Sequence, residues 1–199
     1  MKKVFIDSIL GGAFISLGGV AFLKAGGIVG AVLFSFGLLS IIHYKLKLYT
    51  GVSGFVRTSQ DWRELPVVLL GNIVGCGLVA YAIRFTQPEL VETAAAIVGK
   101  RVEAGFWKVL VLAVFCGFIM TTVVNFGRKA QWLPLLFGIP LFIVCGFAHS
   151  IADAFYYLLG LELSGFTGPV LMAYLSSVLG NFIGCNAYRL FQWCAGSRQ

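Results

Sequence analysis

The stretch GNIVGC at residues 71–76 recurs as GNFIGC at residues 180–185. Each copy follows an apolar segment with a polar middle, at residues 43–51 in the first half of the chain and at residues 148–153 in the second. The apolar stretches around these segments give three possible membrane spans in each half. Because a unit with an odd number of spans must be inserted twice in opposite orientations, the sequence predicts an inverted repeat of two three-helix units.

The composition indicates an integral membrane protein. Hydrophobic residues make up 59% of the 199 residues and charged residues 12%, and the mean hydropathy is +0.91. A soluble domain is about 45–50% apolar and about 25% charged, so the surplus apolar side chains must face lipid or other helices. Apolar stretches close to the roughly 20 residues that cross a bilayer lie at residues 4–23, 26–44, 65–85, 105–126, 132–159 and 166–194.

These six spans predict one all-α transmembrane domain. It comprises residues 1–199, with repeat halves at about 1–86 and 104–196, because no connection is long enough to separate two domains. Basic residues near the span ends predict that both termini face the cytoplasm, in the cell (inner) membrane. In that orientation five basic residues lie outside, and those inside are Lys2, Lys3, Arg57, Arg63, Arg128, Lys129, Arg189 and Arg198.

Several other classes of protein fit these residues poorly. Lys and Arg number fifteen against eight Asp and Glu, but they are scattered singly, so no nucleic-acid partner is expected. The five cysteines form no C-x-x-C pair, which argues against a disulfide framework or a metal site. A membrane enzyme with a cofactor held by His43 and His149 is a weak alternative, so neither a cofactor nor an enzyme activity is expected.

Polar residues at membrane depth usually face a cavity or a partner. Lys45 and Lys47 precede LYTG at residues 48–51, and Asp153 follows His149 by one helical turn. A Thr-Gly step after charged residues predicts that the second span is broken near its middle, with irregular backbone that lines a cavity or is buried in protein. His149 fits two interpretations equally well, a structural histidine that joins two helices or a group on a solute pathway.

Several segments resemble the formate/nitrite transporter family, which includes formate, nitrite and hydrosulfide channels. GFAHSIAD at residues 146–153 is similar to the family's G-F-E-H-S-x-A-N, FSFGL at 34–38 to its F-S-x-G-L, and LYTG at 48–51 to its L-F-T-G. They occur in the family's order over nearly the whole chain. The resemblance implies an aquaporin-like fold with broken second and fifth helices, a homopentamer with one pore in each protomer, and passage of small monovalent weak-acid anions.

The resemblance also implies roles for individual residues. His149 takes the place of the central pore histidine, and Thr50 that of the loop threonine that can hydrogen-bond to it. Two apolar constrictions and a basic residue of the outer vestibule complete the pathway. The cytoplasmic constriction matches Phe34, Leu38 and Phe142, the outer one matches Leu48 and Tyr49, and the vestibule base matches Arg101 or its neighbour Lys100.

The chain departs from the family pattern at several positions. Ala148 replaces a glutamate, Asp153 an asparagine, and Gly117 an asparagine of the fourth helix. Lys45 and Lys47 stand where family members usually carry a small residue and an acid. These lysines fit an ion pair with Asp153, which we favour, or a source of positive potential in the pore.

A channel or proton-coupled transporter is the function that these residues predict. An anion in an apolar constriction loses several kcal/mol of hydration, even after relaxation. A weak acid avoids that cost if it gains a proton near His149 and crosses as the neutral acid, and a basic vestibule would raise the local anion concentration. The alternative is a structural membrane protein that conducts no solute.

Overall fold

Helices form nearly all of the regular structure in residues 1–195, which this computed structural model describes. The α-helices in that range are α1 (Lys2–Ala25), α2 (Gly27–His43), α3 (Tyr49–Val52), α4 (Ser59–Thr86), α5 (Glu89–Arg128), α6 (Leu133–Val144), α7 (Ser150–Gly160) and α8 (Gly168–Cys194). Single 3-10 turns follow α3 and α7, and no β-strand occurs in these 195 residues. Arg198 and the predicted boundaries at 196 and 199 lie outside the described residues.

Two of the predicted spans are interrupted near their middle. The second span stops at His43 and resumes at Tyr49, and the fifth stops at Val144 and resumes at Ser150. The first gap lies within the polar segment at residues 43–51, and the second overlaps the start of the polar segment at residues 148–153. α1, α4, α5 and α8 are long and apolar enough to cross a membrane, whereas α2 and α6 are shorter apolar helices.

The chain between the third and fourth predicted spans is helical. It forms the first part of α5, which begins at Glu89. Gly105 has a φ of 73°, in the left-handed region that favours glycine. The chain bends at this residue, so residues 89–104 precede the span rather than extend it.

The two interruptions begin with the same hydrogen-bonding pattern. The N–H groups of Leu46 and Phe147 each donate to the carbonyl five residues earlier, at 2.9 Å. The residues before these donors, Lys45 and Gly146, have φ angles of 55° and 68°. This is the Schellman closure, which ends a helix with one left-handed residue and satisfies a carbonyl that the helix leaves free.

Asn72 of α4 holds the first interruption. Its Oδ1 accepts a hydrogen bond from the N–H of Tyr49, the first residue of α3, at 2.8 Å. Its Nδ2 donates to the Lys47 carbonyl at 2.9 Å and to the Ser8 carbonyl of α1 at 2.7 Å. One buried amide therefore satisfies the hydrogen bonds of three backbone groups. Lipid at this depth offers no hydrogen-bonding partner.

Asn181 of α8 holds the second interruption in the same way. Its Oδ1 accepts from the N–H of Ser150, the first residue of α7, at 2.7 Å. Its Nδ2 donates to the Ala148 carbonyl at 2.8 Å and to the Ala113 carbonyl of α5 at 2.9 Å. By these contacts, Leu48, which precedes α3, corresponds to His149, which precedes α7.

The glycines beside the two asparagines allow neighbouring helices to approach closely. A Cβ at Gly75 would overlap the Ile9 carbonyl of α1, and a Cβ at Gly184 would overlap the Val114 carbonyl of α5. Small residues at such spacing let helix backbones touch in lipid. In each half, the asparagine and the glycines of the repeat thus lie in the same helix contact. This contact joins α4 to α1 in the first half and α8 to α5 in the second.

We predict that Gly184→Ala destabilises the fold by about 1–3 kcal/mol, because its methyl group meets the backbone of Val114. Gly99→Ala is the matched control, since Gly99 is also helical and has nothing near its Cβ position. Alanine there should be neutral or stabilising by up to about 1 kcal/mol. Denaturant unfolding of both variants in detergent measures the difference, and equal effects would contradict the packing role.

We also predict that Asn181→Ala costs about 3 kcal/mol or more, because it leaves three buried backbone groups without a partner. Asn186→Ala is the control. That neighbour is only partly buried, and one of its two backbone bonds goes to its own helix. The same unfolding assay should rank Asn181 well above Asn186, and the reverse order would argue against Asn181 as the clamp of the second interruption.

Candidate functional site

His149 lies at the second interruption, where it caps α7. Its Nδ1 accepts a hydrogen bond from the N–H of Ala152 at 3.1 Å, and its Nε2 lies 3.0 Å from Thr50 Oγ1. Both side chains are buried. Because Nδ1 is an acceptor, the neutral imidazole carries its proton on Nε2 and donates it to the Thr50 hydroxyl.

One face of this pair is covered by aromatic and aliphatic side chains. The Phe142 ring stacks on the imidazole, with centroids 5.5 Å apart and 26° between the planes. Phe34 meets Phe142 edge-on at 6.0 Å, and Leu38, one turn further along α2, is also fully buried. These are the residues that the resemblance predicts as one constriction, and we call Phe34, Leu38 and Phe142 the helix constriction.

The loop before α3 contributes two further buried side chains. Leu48 precedes that helix and is 1% exposed, and the neighbouring Tyr49 is 5% exposed. The Tyr49 hydroxyl donates to the Val178 carbonyl of α8 at 3.3 Å. We call Leu48 and Tyr49 the loop constriction. Two buried side chains therefore directly precede Thr50 in the chain.

The two constrictions lie in the opposite order to that expected from a cytoplasmic N-terminus. The backbone of Lys47, beside the loop constriction, meets Asp7 near the start of α1. The backbone of Phe34, in the helix constriction, packs against Gly18, in the second half of α1. Since α2 runs antiparallel to α1, the loop constriction lies nearer to the N-terminal side. A cytoplasmic N-terminus and a cytoplasmic helix constriction therefore cannot both hold.

Arg101 closes the second interruption from the side of α5. Its Nη1 and Nη2 donate to the Gly146 and Phe147 carbonyls at 2.8 and 3.3 Å. Its Nε lies 3.4 Å from Asp153 Oδ1 in the first turn of α7. Lys100 is exposed on the helix surface. Of the two candidates for the vestibule base, only Arg101 contacts the interrupted helix.

The predicted ion pair between the lysines and Asp153 is wrong. Asp153 is held by Arg101, and its second oxygen accepts from the Ser177 hydroxyl at 2.8 Å. Lys47 instead lies 3.6 Å from Glu64 of α4. No ion pair joins Lys45 or Lys47 to Asp153 within residues 1–195. The physical reason is that the two interruptions face different helices, so each acidic group pairs with the base on its own side.

Two cavities lie beside the loop constriction. One, of about 190 Å³, lies between the ends of α2 and α5. The other, of about 220 Å³, lies against the first turns of α4. Lys47, Val52 and Arg128 line both. Both cavities therefore lie beside the loop that carries Thr50.

The cysteines of the repeat were not expected to contact this site. The Cys185 thiol donates to the Thr50 carbonyl at 3.4 Å, and the Cys76 thiol lies 3.4 Å from the Ile151 carbonyl. The shared G-N-x-x-G-C pattern contained the signal, since its last position falls one turn after each asparagine. In the part of the chain that the structure describes, no three His, Cys, Asp or Glu side chains are grouped to hold a metal ion.

Comparisons with known proteins agree on one family. The sequence pattern of the formate/nitrite transporter family matches residues 1–193. An uncharacterized transporter of Bacillus subtilis, YrhG, is 27% identical over 92% of this chain and 83% of its own length. The formate channel FocA of Haemophilus influenzae is 24% identical over 71% of this chain, which covers 57% of that protein.

Solved structures share the fold. A pentameric formate channel with formate bound superposes with a TM-score of 0.84, at 18% identity and with 99% of this chain and 98% of that chain covered. An FNT family ion channel superposes with a TM-score of 0.76, at 22% identity and with 96% and 89% coverage. With a family match over nearly its full length, the chain belongs to the formate/nitrite transporter family, a family of membrane transport proteins.

Proposed function

We propose that this protein is a channel or proton-coupled transporter for small monovalent weak-acid anions, such as formate, nitrite or hydrosulfide. The observation that carries the proposal is the buried His149, hydrogen-bonded to Thr50 and stacked on Phe142. The formate channels among its relatives and structural neighbours support the same class of solute. The solute crosses as the neutral acid.

The architecture that we propose is a pentamer of inverted repeats. Residues 1–199 form one transmembrane domain, with halves at about 1–86 and 104–196. The matching bonds of Asn72 and Asn181 support this repeat, and the pentameric neighbour supports the assembly. Both termini face the cytoplasm of the cell, which makes the loop constriction the inner one and the helix constriction the outer one.

The hydrogen bonds of His149 support the role that we propose for it in permeation. Its Nδ1 is occupied by the Ala152 N–H, so a proton added there would break the cap of α7. The ring therefore stays neutral and offers the Nε2–H to the solute, in place of the Thr50 hydroxyl. The solute gains its proton from water, and the apolar constrictions exclude the bare anion because they cannot replace its hydration.

His149→Ala is expected to lower formate flux into proteoliposomes by roughly tenfold, since one hydrogen bond to the solute is lost. Thr50→Val should have a smaller effect in the same direction. His43→Ala, which changes the chain's other histidine at the end of α2, is the control. Flux at fixed total formate should rise about tenfold for each unit that the pH falls, because the neutral acid increases by that factor.

The same assay decides between the alternatives. Unchanged flux and selectivity among formate, nitrite, hydrosulfide and lactate in His149→Ala would refute the role of the histidine. A wild-type protein that assembles but conducts none of these solutes would instead establish the non-conducting structural alternative.

Arg101 is proposed to stabilise the second interruption as well as to face the vestibule. Arg101→Ala should cost about 3–5 kcal/mol of unfolding free energy, because it leaves buried Asp153 without its cation. Lys100→Ala, next to it on the surface, should change the stability by no more than about 0.5 kcal/mol. An Arg101→Ala protein of normal stability but reduced anion flux would assign Arg101 to the vestibule alone.

A further inference from the structure

We infer that the 190 Å³ cavity between the ends of α2 and α5 is an anion-binding antechamber, which holds the solute anion before it reaches the loop constriction. This inference rests on the proposed function for the identity of the anion, a small monovalent carboxylate or similar weak-acid anion. Three basic side chains line the cavity, Lys45, Lys47 and Arg128, and no carboxylate does. We call this space the basic cavity.

The nearest carboxylates belong to the neighbouring 220 Å³ cavity and are already bound. Asp61 Oδ2 accepts from the N–H groups of Arg57 and Thr58 at 3.0 and 2.8 Å, at the start of α4. Glu64 lies 3.6 Å from Lys47 Nζ and accepts from the Gln60 side chain at 3.1 Å. Even if Glu64 cancels the charge of Lys47, the other two cations of the basic cavity keep it positive.

Arg128 is held in place by neutral groups, which do not compensate its positive charge. Its guanidinium lies 3.7 Å from the centroid of the Phe55 ring, and its Nη2 donates to the Gly51 carbonyl at 3.4 Å. Among the described residues it takes part in no ion pair. A guanidinium fixed on an aromatic face is pre-organised to bind a carboxylate without losing further side-chain freedom.

Lys45 has a backbone conformation that favours glycine. Its φ of 55° is left-handed, a conformation that costs an ordinary residue roughly 1–2 kcal/mol. The corresponding position at the second interruption is Gly146, with a φ of 68° and no such cost. Strain that persists at one residue points to a role for its side chain, and at Lys45 the side chain adds positive charge to the basic cavity.

The inner end of the basic cavity reaches the pathway. Leu38 of the helix constriction, Leu48 of the loop constriction and Gly51 all line it. Gly51 directly follows Thr50, the partner of His149. An anion in the basic cavity thus lies beside the segment that carries Thr50. The volume equals about six waters of ~30 Å³ each, so a small anion fits with part of its hydration shell.

The test measures the electrostatic potential without any need for conduction. Val52, which lines the basic cavity, is replaced by cysteine in a Cys145→Ser, Cys194→Ser background, because these two native thiols are exposed. The rates of modification by an anionic and by a cationic methanethiosulfonate reagent are then compared. Lys45→Gly should lower the anionic-to-cationic rate ratio roughly threefold. Lys129→Ala, an exposed lysine one residue beyond Arg128, should leave the ratio unchanged.

Two further readouts separate an electrostatic role from a structural one. Glycine suits the backbone at position 45, so Lys45→Gly should raise the unfolding temperature, by about 2 °C. It should also raise the formate concentration for half-maximal flux in proteoliposomes, more than it lowers the maximal flux. A lower unfolding temperature would mean that Lys45 serves the helix end and would overturn the inference.

Other outcomes are equally decisive. An unchanged reagent ratio in Lys45→Gly, or an equal fall in Lys129→Ala, would overturn the antechamber. A normal fall in the ratio together with no flux of any solute in the parent protein would support the basic cavity and refute the proposed conduction instead. Lys45→Gly could raise the half-maximal concentration for inorganic phosphate and not that for formate. The cavity would then serve a different anion, which would also overturn the inference.

Discussion

Backbone groups at membrane depth have no water to bind, and two asparagine amides meet this requirement where the helices stop. Asn72 and Asn181 each pair with one N–H and two carbonyls, and each joins an interrupted helix to its neighbours. Without such partners, several kcal/mol of unsatisfied polar groups would forbid a break in the bilayer core. With them, the chain can place non-helical backbone at the centre of the protein. The rest of the site depends on that backbone, because it positions both Thr50 and His149.

The two interruptions share one scaffold but differ in the side chains that they carry. The residue before the new helix is Leu48 in the first half and His149 in the second. The left-handed residue is Lys45 in the first and Gly146 in the second. One break therefore contributes apolar closure and positive charge, and the other contributes a neutral hydrogen-bond donor. The contact between Thr50 and His149 joins them. Two breaks with matching backbone hydrogen bonds thus carry different side chains.

Charge is also divided between the two breaks. Arg101 binds two carbonyls and the buried Asp153, so its positive charge is largely used to hold the second break together. On the other side, Lys45 and Arg128 border open space without a carboxylate partner among the described residues. The substitution of Asp153 for the family asparagine fits this division, since an acid there gives the buried arginine a counter-charge. The uncompensated positive charge of Lys45 and Arg128 therefore lies beside the loop before α3.

The sequence alone determined what depends on composition and short-range pattern. Hydropathy indicated the membrane, the G-N-x-x-G-C repeat indicated helix contacts in both halves, and the Thr-Gly step after charged residues indicated the break in the second span. Resemblance then indicated the pairing of Thr50 with His149. Only the tertiary structure decided which charged groups meet and in what order the constrictions lie. Arg101 reaches Asp153 across 52 positions of the chain, and such a partner depends on which helix faces match after packing, which local sequence does not encode.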